Sequence, residues 1–117
     1  MISLSASTKI FVAMGDTDMR KGFDGLYALV ANQLKQDPLS GSLFLFVNRR
    51  RDRLKVLYWD GDGLAIWYRR LEQGTFQFPQ SSSDATCVEI RSDEFTMLLR
   101  GIDLKSVKRR KRYSLAG

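Results

Sequence analysis

Residues 42–71 read SLFLFVNRRRDRLKVLYWDGDGLAIWYRRL, and the way their three apolar runs pair decides the fold. The runs are rich in Phe, Val, Leu, Tyr, Trp and Ile, and they are broken once by NRRRD and once by DGDG. Glycine in a tight reversal between such runs is a strong local hairpin signal. The stretch therefore reads as a three-stranded antiparallel meander. A two-residue turn at Gly61 and Asp62 sets Asp60 opposite Gly63, Trp59 opposite Leu64, Leu57 opposite Ile66, Lys55 opposite Tyr68 and Arg53 opposite Arg70.

Side chains alternate with period two, so each face can be written down. Leu43, Leu45, Val47, Leu54, Val56, Tyr58, Ala65 and Trp67 share one face, which is almost purely apolar. Phe44, Phe46, Leu57, Ile66 and Tyr68 share the other with Arg53, Lys55 and Arg70. The apolar face is expected to carry the core. The mixed face is expected to be partly covered or to serve as a contact surface.

Outward from the meander, residues 9–14 (KIFVAM) read as a short buried strand ended by Gly15. Asp16, Thr17 and Asp18 offer capping oxygens, and Met19, Phe23, Leu26, Val30 and Leu34 recur at helical spacing, which predicts a helix over residues 18–35. Gly22 and Gly25 each cost this helix about 1 kcal/mol against Ala. Two readings account for them: close approach of the helix to the sheet, or an anion site at a helix N-terminus flanked by Arg20 and Lys21. The Gly-x-x-Gly spacing is also that of the phosphate-clamping loop of KH domains, a short and unspecific motif. Past the meander, residues 75–78 read as a short strand stopped by Pro79, residues 80–84 (QSSSD) as a flexible loop, and residues 86–90 as another strand. Ser92 is read as the cap of a final helix carrying Phe95, Leu98, Leu99 and Ile102, with Gly101 near its end.

A chain of 117 residues holds one core. A hydrophobic fraction of 44% with 2 prolines argues for a folded domain rather than a disordered chain. The single cysteine, Cys87, allows no internal disulfide, and no apolar run is long enough for a membrane span or a secretory signal. A cytoplasmic protein without membrane partners is the expectation. The fold class that follows is α+β: a mainly antiparallel sheet of about five to six strands on the central meander, the main helix across its apolar face, and a short C-terminal helix at the edge. The domain is set at residues 1–104, followed by a basic, disordered tail at 105–117.

Charge is informative when divided along the chain. Of 19 Lys and Arg, 6 lie in residues 103–117, against 1 of the 13 acidic residues there. The tail thus supplies most of the net charge of +6. Within the domain, Arg49, Arg50, Arg51, Arg53 and Lys55 surround the first hairpin loop, and Arg69 and Arg70 follow on the next strand. Two basic zones on a balanced domain point to a polyanion, most often nucleic acid. The candidate binding residues are these seven, with Arg20 and Lys21 and with Lys108, Arg109, Arg110, Lys111 and Arg112 of the tail. The aromatics Phe46, Trp59 and Tyr68, beside Arg53, Lys55 and Arg70, read either as core or partner interface or as stacking surfaces for single-stranded bases.

Catalytic signals are sparse. The chain has no histidine, which removes the usual general base and the commonest zinc ligand. Without one to activate it, Cys87 reads as a small buried hydrophobe. Asp60, Asp62 and Glu72 are the one acidic set with spacing for a Mg²⁺ nuclease, but Asp-Gly-Asp-Gly is also what a tight turn demands on backbone grounds. No catalytic residue, metal or cofactor is expected.

The segments TDMRKGFDGLYALV (residues 17–30) and DPLSGSLFLFVNRRRDRLKVLYWDGDGLAIWYRRLEQGTFQFP (residues 37–79), in this order and spacing, resemble the small accessory protein, called TnpB or Orf2, of the insertion sequence 66 family of bacterial transposable elements. SDEFTMLLRGID (residues 92–103) resembles the family's C-terminal helix more loosely. Arg69 stands where Lys is usual, and Gln77-Phe78 where Arg-Trp is usual before the proline. The resemblance implies a role in transposition beside a separate, larger transposase that carries the catalytic acids, with that transposase and the element's other proteins as partners. Two functions follow. One is a non-enzymatic accessory factor that binds DNA through the basic hairpin and the tail. The other is an adaptor that meets the transposase by the mixed aromatic face and has little DNA affinity of its own.

Overall fold

The computed structural model describes residues 4–78 and 85–100. Five strands, β1 (Ile10–Ala13), β2 (Leu43–Val47), β3 (Arg53–Trp59), β4 (Leu64–Arg70) and β5 (Cys87–Ile90), form one sheet in the order β4-β3-β2-β1-β5. The meander has the register that turn chemistry dictates, with Arg53 opposite Arg70, Lys55 opposite Tyr68, Leu57 opposite Ile66 and Trp59 opposite Leu64. Phe44 faces Leu57 and Val47 faces Leu54 across the next pair. β1 joins β2 in parallel and β5 antiparallel, so the sheet is mixed with a single parallel pair. Parallel neighbours require a crossover, and here it carries the helix α1 (Phe23–Ala28), which continues as a wider π turn at Leu29–Gln33. A second helix, α2 (Ser92–Leu99), follows β5. No helix among the described residues is long and apolar enough to cross a membrane.

The sheet is buried on both faces, which corrects the expected placement of the helices. The crossover packs on the mixed face, where Leu26, Val30 and Leu34 meet Ala13, Phe44, Phe46 and Leu57. The purely apolar face is closed instead by Phe95 and Leu98 of α2 together with Phe76 and Phe78, against Leu45, Val56 and Ile90. Mixed character is confined to one end of its face: Arg53, Lys55 and Arg70 lie toward the hairpin loop, while Phe44 and Leu57 lie at the centre. All five residues of β2 are buried, as a strand covered on both sides requires.

Residues 75–78 are not a strand. The Phe76 N–H donates to the Arg51 carbonyl at 2.7 Å, but no ladder forms, and both phenylalanines turn inward as a plug beneath the sheet. The period-two spacing of Phe76 and Phe78 is a burial signal rather than a pairing signal. The final helix begins at Ser92 and is capped one residue earlier, the Arg91 N–H donating to Glu94 Oε1 at 3.0 Å. Pro79, the 80–84 loop, Gly101, Ile102 and the 105–117 tail lie outside the described residues.

The main helix starts at Phe23, five residues later than its apolar stripe predicts. Asp18 does not cap a helix. Its carboxylate accepts the Arg20 N–H at 2.9 Å and its carbonyl accepts the Lys21 N–H at 3.1 Å, which closes a local turn. The decisive contact comes from the sheet, where the Lys55 ammonium donates to the carbonyls of Met19 and Lys21, both at 2.7 Å. These two carbonyls are directed at the ammonium rather than along a helix axis, and the first i→i−4 bond is that of the Leu26 N–H to the Gly22 carbonyl at 3.0 Å. Gly25 is explained by the same segment: a Cβ there would sit 3.1 Å from Lys21 Cβ, so the close approach is to the pre-helical loop and not to the sheet.

Two substitutions test this architecture by chemical denaturation. Phe95→Ala is expected to destabilise the protein by about 3–5 kcal/mol, because α2 closes a core; a loss below ~1 kcal/mol would mean that α2 is peripheral. Lys55→Met keeps the apolar stem but leaves two carbonyls without a donor, with an expected cost of roughly 2 kcal/mol. A neutral or stabilising outcome would show that the ammonium does not hold the 19–21 segment.

Candidate nucleic-acid interface

The first hairpin loop is built by one asparagine. Asn48 Oδ1 accepts the N–H groups of Asp52 at 3.0 Å and Arg53 at 2.9 Å, and its amide donates to Asp52 Oδ1 at 2.6 Å. The Arg51 N–H closes the turn on the Asn48 carbonyl at 3.1 Å. From the far side, the N–H groups of Leu71 and Phe76 bind the carbonyls of Asp52 and Arg51, each at 2.7 Å. The loop backbone is therefore fixed at both ends and underneath. Arg51 adopts a φ of +61°, left-handed backbone in which an L side chain is strained and Gly or Asn would be the usual choice.

Three consecutive arginines leave this loop exposed, and Arg53 follows half-buried. Among the described residues, no ion pair or hydrogen bond holds the guanidinium of Arg49, Arg50, Arg51 or Arg53. An open groove of about 560 Å³ lies between the loop and the segment after β1, lined by Arg49, Arg50, Arg53, Asp52, Asn48 and Tyr68 on one side and by residues 16–20 on the other. The far wall is held to the sheet by the Thr17 N–H, which donates to the Val47 carbonyl at 2.8 Å.

The remaining predicted binding residues separate by environment. Arg20 lines the groove but is paired with Asp18 at 2.7 Å. That guanidinium, through its hydrogen bonds, lowers the Asp18 carboxyl to about 2. The pair's contribution to local order is thus complete above the ordinary carboxylate pKa near 4 and is lost as pH falls through about 2. Lys21 is exposed at its head, while its backbone carbonyl serves Lys55. Lys55 is withdrawn altogether: it is only 9% exposed, its ammonium is bound to two carbonyls, and it lies 4.8 Å from the centroid of the Tyr68 ring. Arg69 points to the opposite face, where it covers the Trp67 ring at 4.7 Å and donates to the Leu99 carbonyl at the end of α2 at 3.2 Å. Arg70 stays on the groove side and is bound by Glu72 at 2.8 Å. Lys108, Arg109, Arg110, Lys111 and Arg112 lie outside the described residues.

The acidic set is not brought together. Asp60 Oδ1 accepts the N–H groups of Asp62 at 2.9 Å and Gly63 at 3.0 Å, and these bonds lower the pKa of its carboxyl. With Gly61 at a φ of +103°, the DGDG segment is a turn closed on itself. Glu72 lies past the opposite end of β4, beside Arg70. Among the described residues no group of three or more acidic or Cys side chains is placed to hold a metal ion. Partial burial of Cys87 raises its thiol pKa, the reverse of what a nucleophile needs.

The exposed aromatics divide as well. Phe46 is core, Trp59 is half-buried, and Tyr68 is 49% exposed at the groove. The mixed face expected to meet a partner is thus largely occupied by the protein's own helix. Two residues the sequence did not mark as surface, Phe23 and Tyr27, stand exposed one turn apart on α1. Spacing puts Phe23 on the same stripe as Leu26 and Val30, so its 50% exposure as the first residue of α1 corrects that expectation; Tyr27 lies off the stripe.

Comparison with known proteins supplies the context. The family model described as "IS66 Orf2 like protein" matches residues 8–109. Two proteins of Sinorhizobium fredii (strain NBRC 101917 / NGR234) are similar along most of their length. The one named uncharacterized protein y4jC is 40% identical over 110 residues, covering 94% of this chain and 92% of its own. The one named uncharacterized protein y4hO is 37% identical over 103 residues, covering 88% of each. No solved structure matches significantly. The chain belongs to the IS66 Orf2-like family, and with it to the accessory proteins of a transposable element's transposition system.

Proposed function

We propose that this protein is a non-enzymatic accessory factor of transposition that binds nucleic acid through the 48–53 hairpin. The observation that carries the reading is that four guanidinium groups on and beside a fixed loop have no partner among the described residues, while four neighbouring cations are spent on internal contacts: Lys55 on carbonyls, Arg69 on Trp67 and Leu99, Arg20 on Asp18 and Arg70 on Glu72. Holding like charges together in water gains the free protein nothing, but a run of phosphates neutralises them and releases counterions. A fixed loop also lowers the ordering cost of binding. The strained Arg51 backbone fits the same reading, since an arginine is kept where glycine would be easier. The five cations of residues 108–112 add to the chain's positive charge, and duplex backbone is the simplest ligand for it.

A second reading, an adaptor to the element's transposase, is favoured by Phe23 and Tyr27, an exposed aromatic pair on the outer side of α1. Aromatic pairs of this kind are enriched at protein interfaces. The two readings use different residues, since neither Phe23 nor Tyr27 lines the groove, and are separable.

The test is duplex binding against salt concentration, with and without purified transposase. Arg49→Gln with Arg50→Gln is expected to lower affinity at every sequence and to reduce the log-log salt slope by roughly 1 to 2, at about 0.9 for each phosphate no longer neutralised. An unchanged slope and affinity in the double variant would overturn the DNA reading. Binding that appears only when transposase is present, and that is abolished by Tyr27→Ala, would establish the adaptor instead.

A further inference from the structure

Tyr68 belongs to neither the core nor the hairpin. It stands 49% exposed on β4, one of the two edge strands, and the face it occupies is the one that carries the groove. One side of its ring is taken: the Lys55 ammonium lies 4.8 Å from the centroid and is itself immobilised by two carbonyls at 2.7 Å. The ring is therefore oriented before any ligand arrives, and about half of the residue is open to solvent. Such a platform loses little rotamer freedom when a flat group settles on it.

Its neighbours are cationic. Arg53 and Arg70 face each other across β3 and β4 in the row next to Tyr68. Like charges directly opposite destabilise a strand pair unless an anion sits between them. Glu72 offsets this only from one side, binding Arg70 through Nε at 2.9 Å and one terminal nitrogen at 2.8 Å. Arg53 has no internal partner among the described residues. Tyr68 and Arg53 line both the groove that begins at Arg49 and Arg50 and a second one of about 380 Å³ that ends at Arg70 and Glu72. Tyr68 and Arg53 thus join the two grooves into one track from the hairpin tip to the end of β4, with the carboxylates of Asp16, Asp18 and Asp52 along the first and Glu72 at the end of the second.

We infer that Tyr68, beside Arg53, is a stacking subsite for one unpaired base of a single-stranded nucleic acid whose adjoining phosphate lies on Arg53. The inference rests on the nucleic-acid reading above and adds a strand preference to it. A duplex offers an aromatic side chain only base edges and backbone, because its base faces are stacked on one another. A base lying flat on Tyr68 must be out of the helix.

Fluorescence anisotropy with a labelled oligothymidylate and with a duplex of equal length tests it on the full chain. Tyr68→Leu is expected to weaken oligothymidylate binding by about 5- to 150-fold, the range for loss of one stacked base, with a smaller loss for duplex. Tyr68→Phe is expected to bind as the unsubstituted protein does. Photo-crosslinking of the unsubstituted protein to an oligonucleotide containing 5-iodouracil gives a readout that needs no variant, with Tyr68 as the expected crosslinked residue. Equal losses for single strand and duplex, unchanged single-strand affinity in Tyr68→Leu, or crosslinks that avoid Tyr68 would each overturn the subsite. Protein that binds duplex but no single strand overturns this inference alone. Protein that binds neither overturns the proposed function with it.

Discussion

The Lys55 ammonium is the constraint on which the rest of the arrangement depends. A buried cation is tolerated only when its donors are satisfied, and this one is bound by the carbonyls of Met19 and Lys21 and covered by the Tyr68 ring. Three consequences follow from one side chain. The pre-helical segment is pinned to β3, ahead of α1 at Phe23; the Tyr68 ring is fixed in place; and the boundary between core and groove falls along the row formed by Phe46, Lys55 and Tyr68. On the α1 side of that row lie Phe44 and Leu57, fully buried, and on the hairpin side lies Arg53 opposite Arg70.

Stability and binding surface are thereby kept apart. Both faces of β2 and much of β3 are sealed, one by the crossover and the other by α2 with Phe76 and Phe78. Each large apolar side chain buried in this way is worth about 1.5–3 kcal/mol. That leaves the 48–52 loop free to carry charges that do nothing for the fold. The loop is nonetheless rigid, because Asn48 satisfies the donors of Asp52 and Arg53 and the 71–76 segment braces it from below.

The meander was fully legible in the sequence because its determinants are local: glycine in the DGDG turn fixes the register, and period-two alternation then assigns every side chain to a face. The family resemblance was equally legible, since it rests on ordered motifs along the chain. What escaped was long-range. Which helix covers which face depends on the parallel pairing of β1 and β2, for which no short-range signal exists; only the unbroken apolar run LFLFV hinted that both faces were covered. The basic residues could be found but not sorted. Lys55 and Arg53 are two apart on one face, yet one is buried beneath residues 19–21 and the other is unpaired at the groove, and composition cannot distinguish them. Arg69 falls on the other face by alternation alone, so its separation from Arg70 could have been read from the register.

The central claim is that nucleic acid meets this protein at the hairpin end of the sheet. Amide chemical-shift mapping by NMR during titration with short single-stranded and duplex DNA tests it most directly. The account requires the largest shifts at residues 48–53 and 68–70, with β5 and α2 unmoved. Shifts centred on the outer side of α1, around Phe23 and Tyr27, or spread evenly over the sheet, would contradict it.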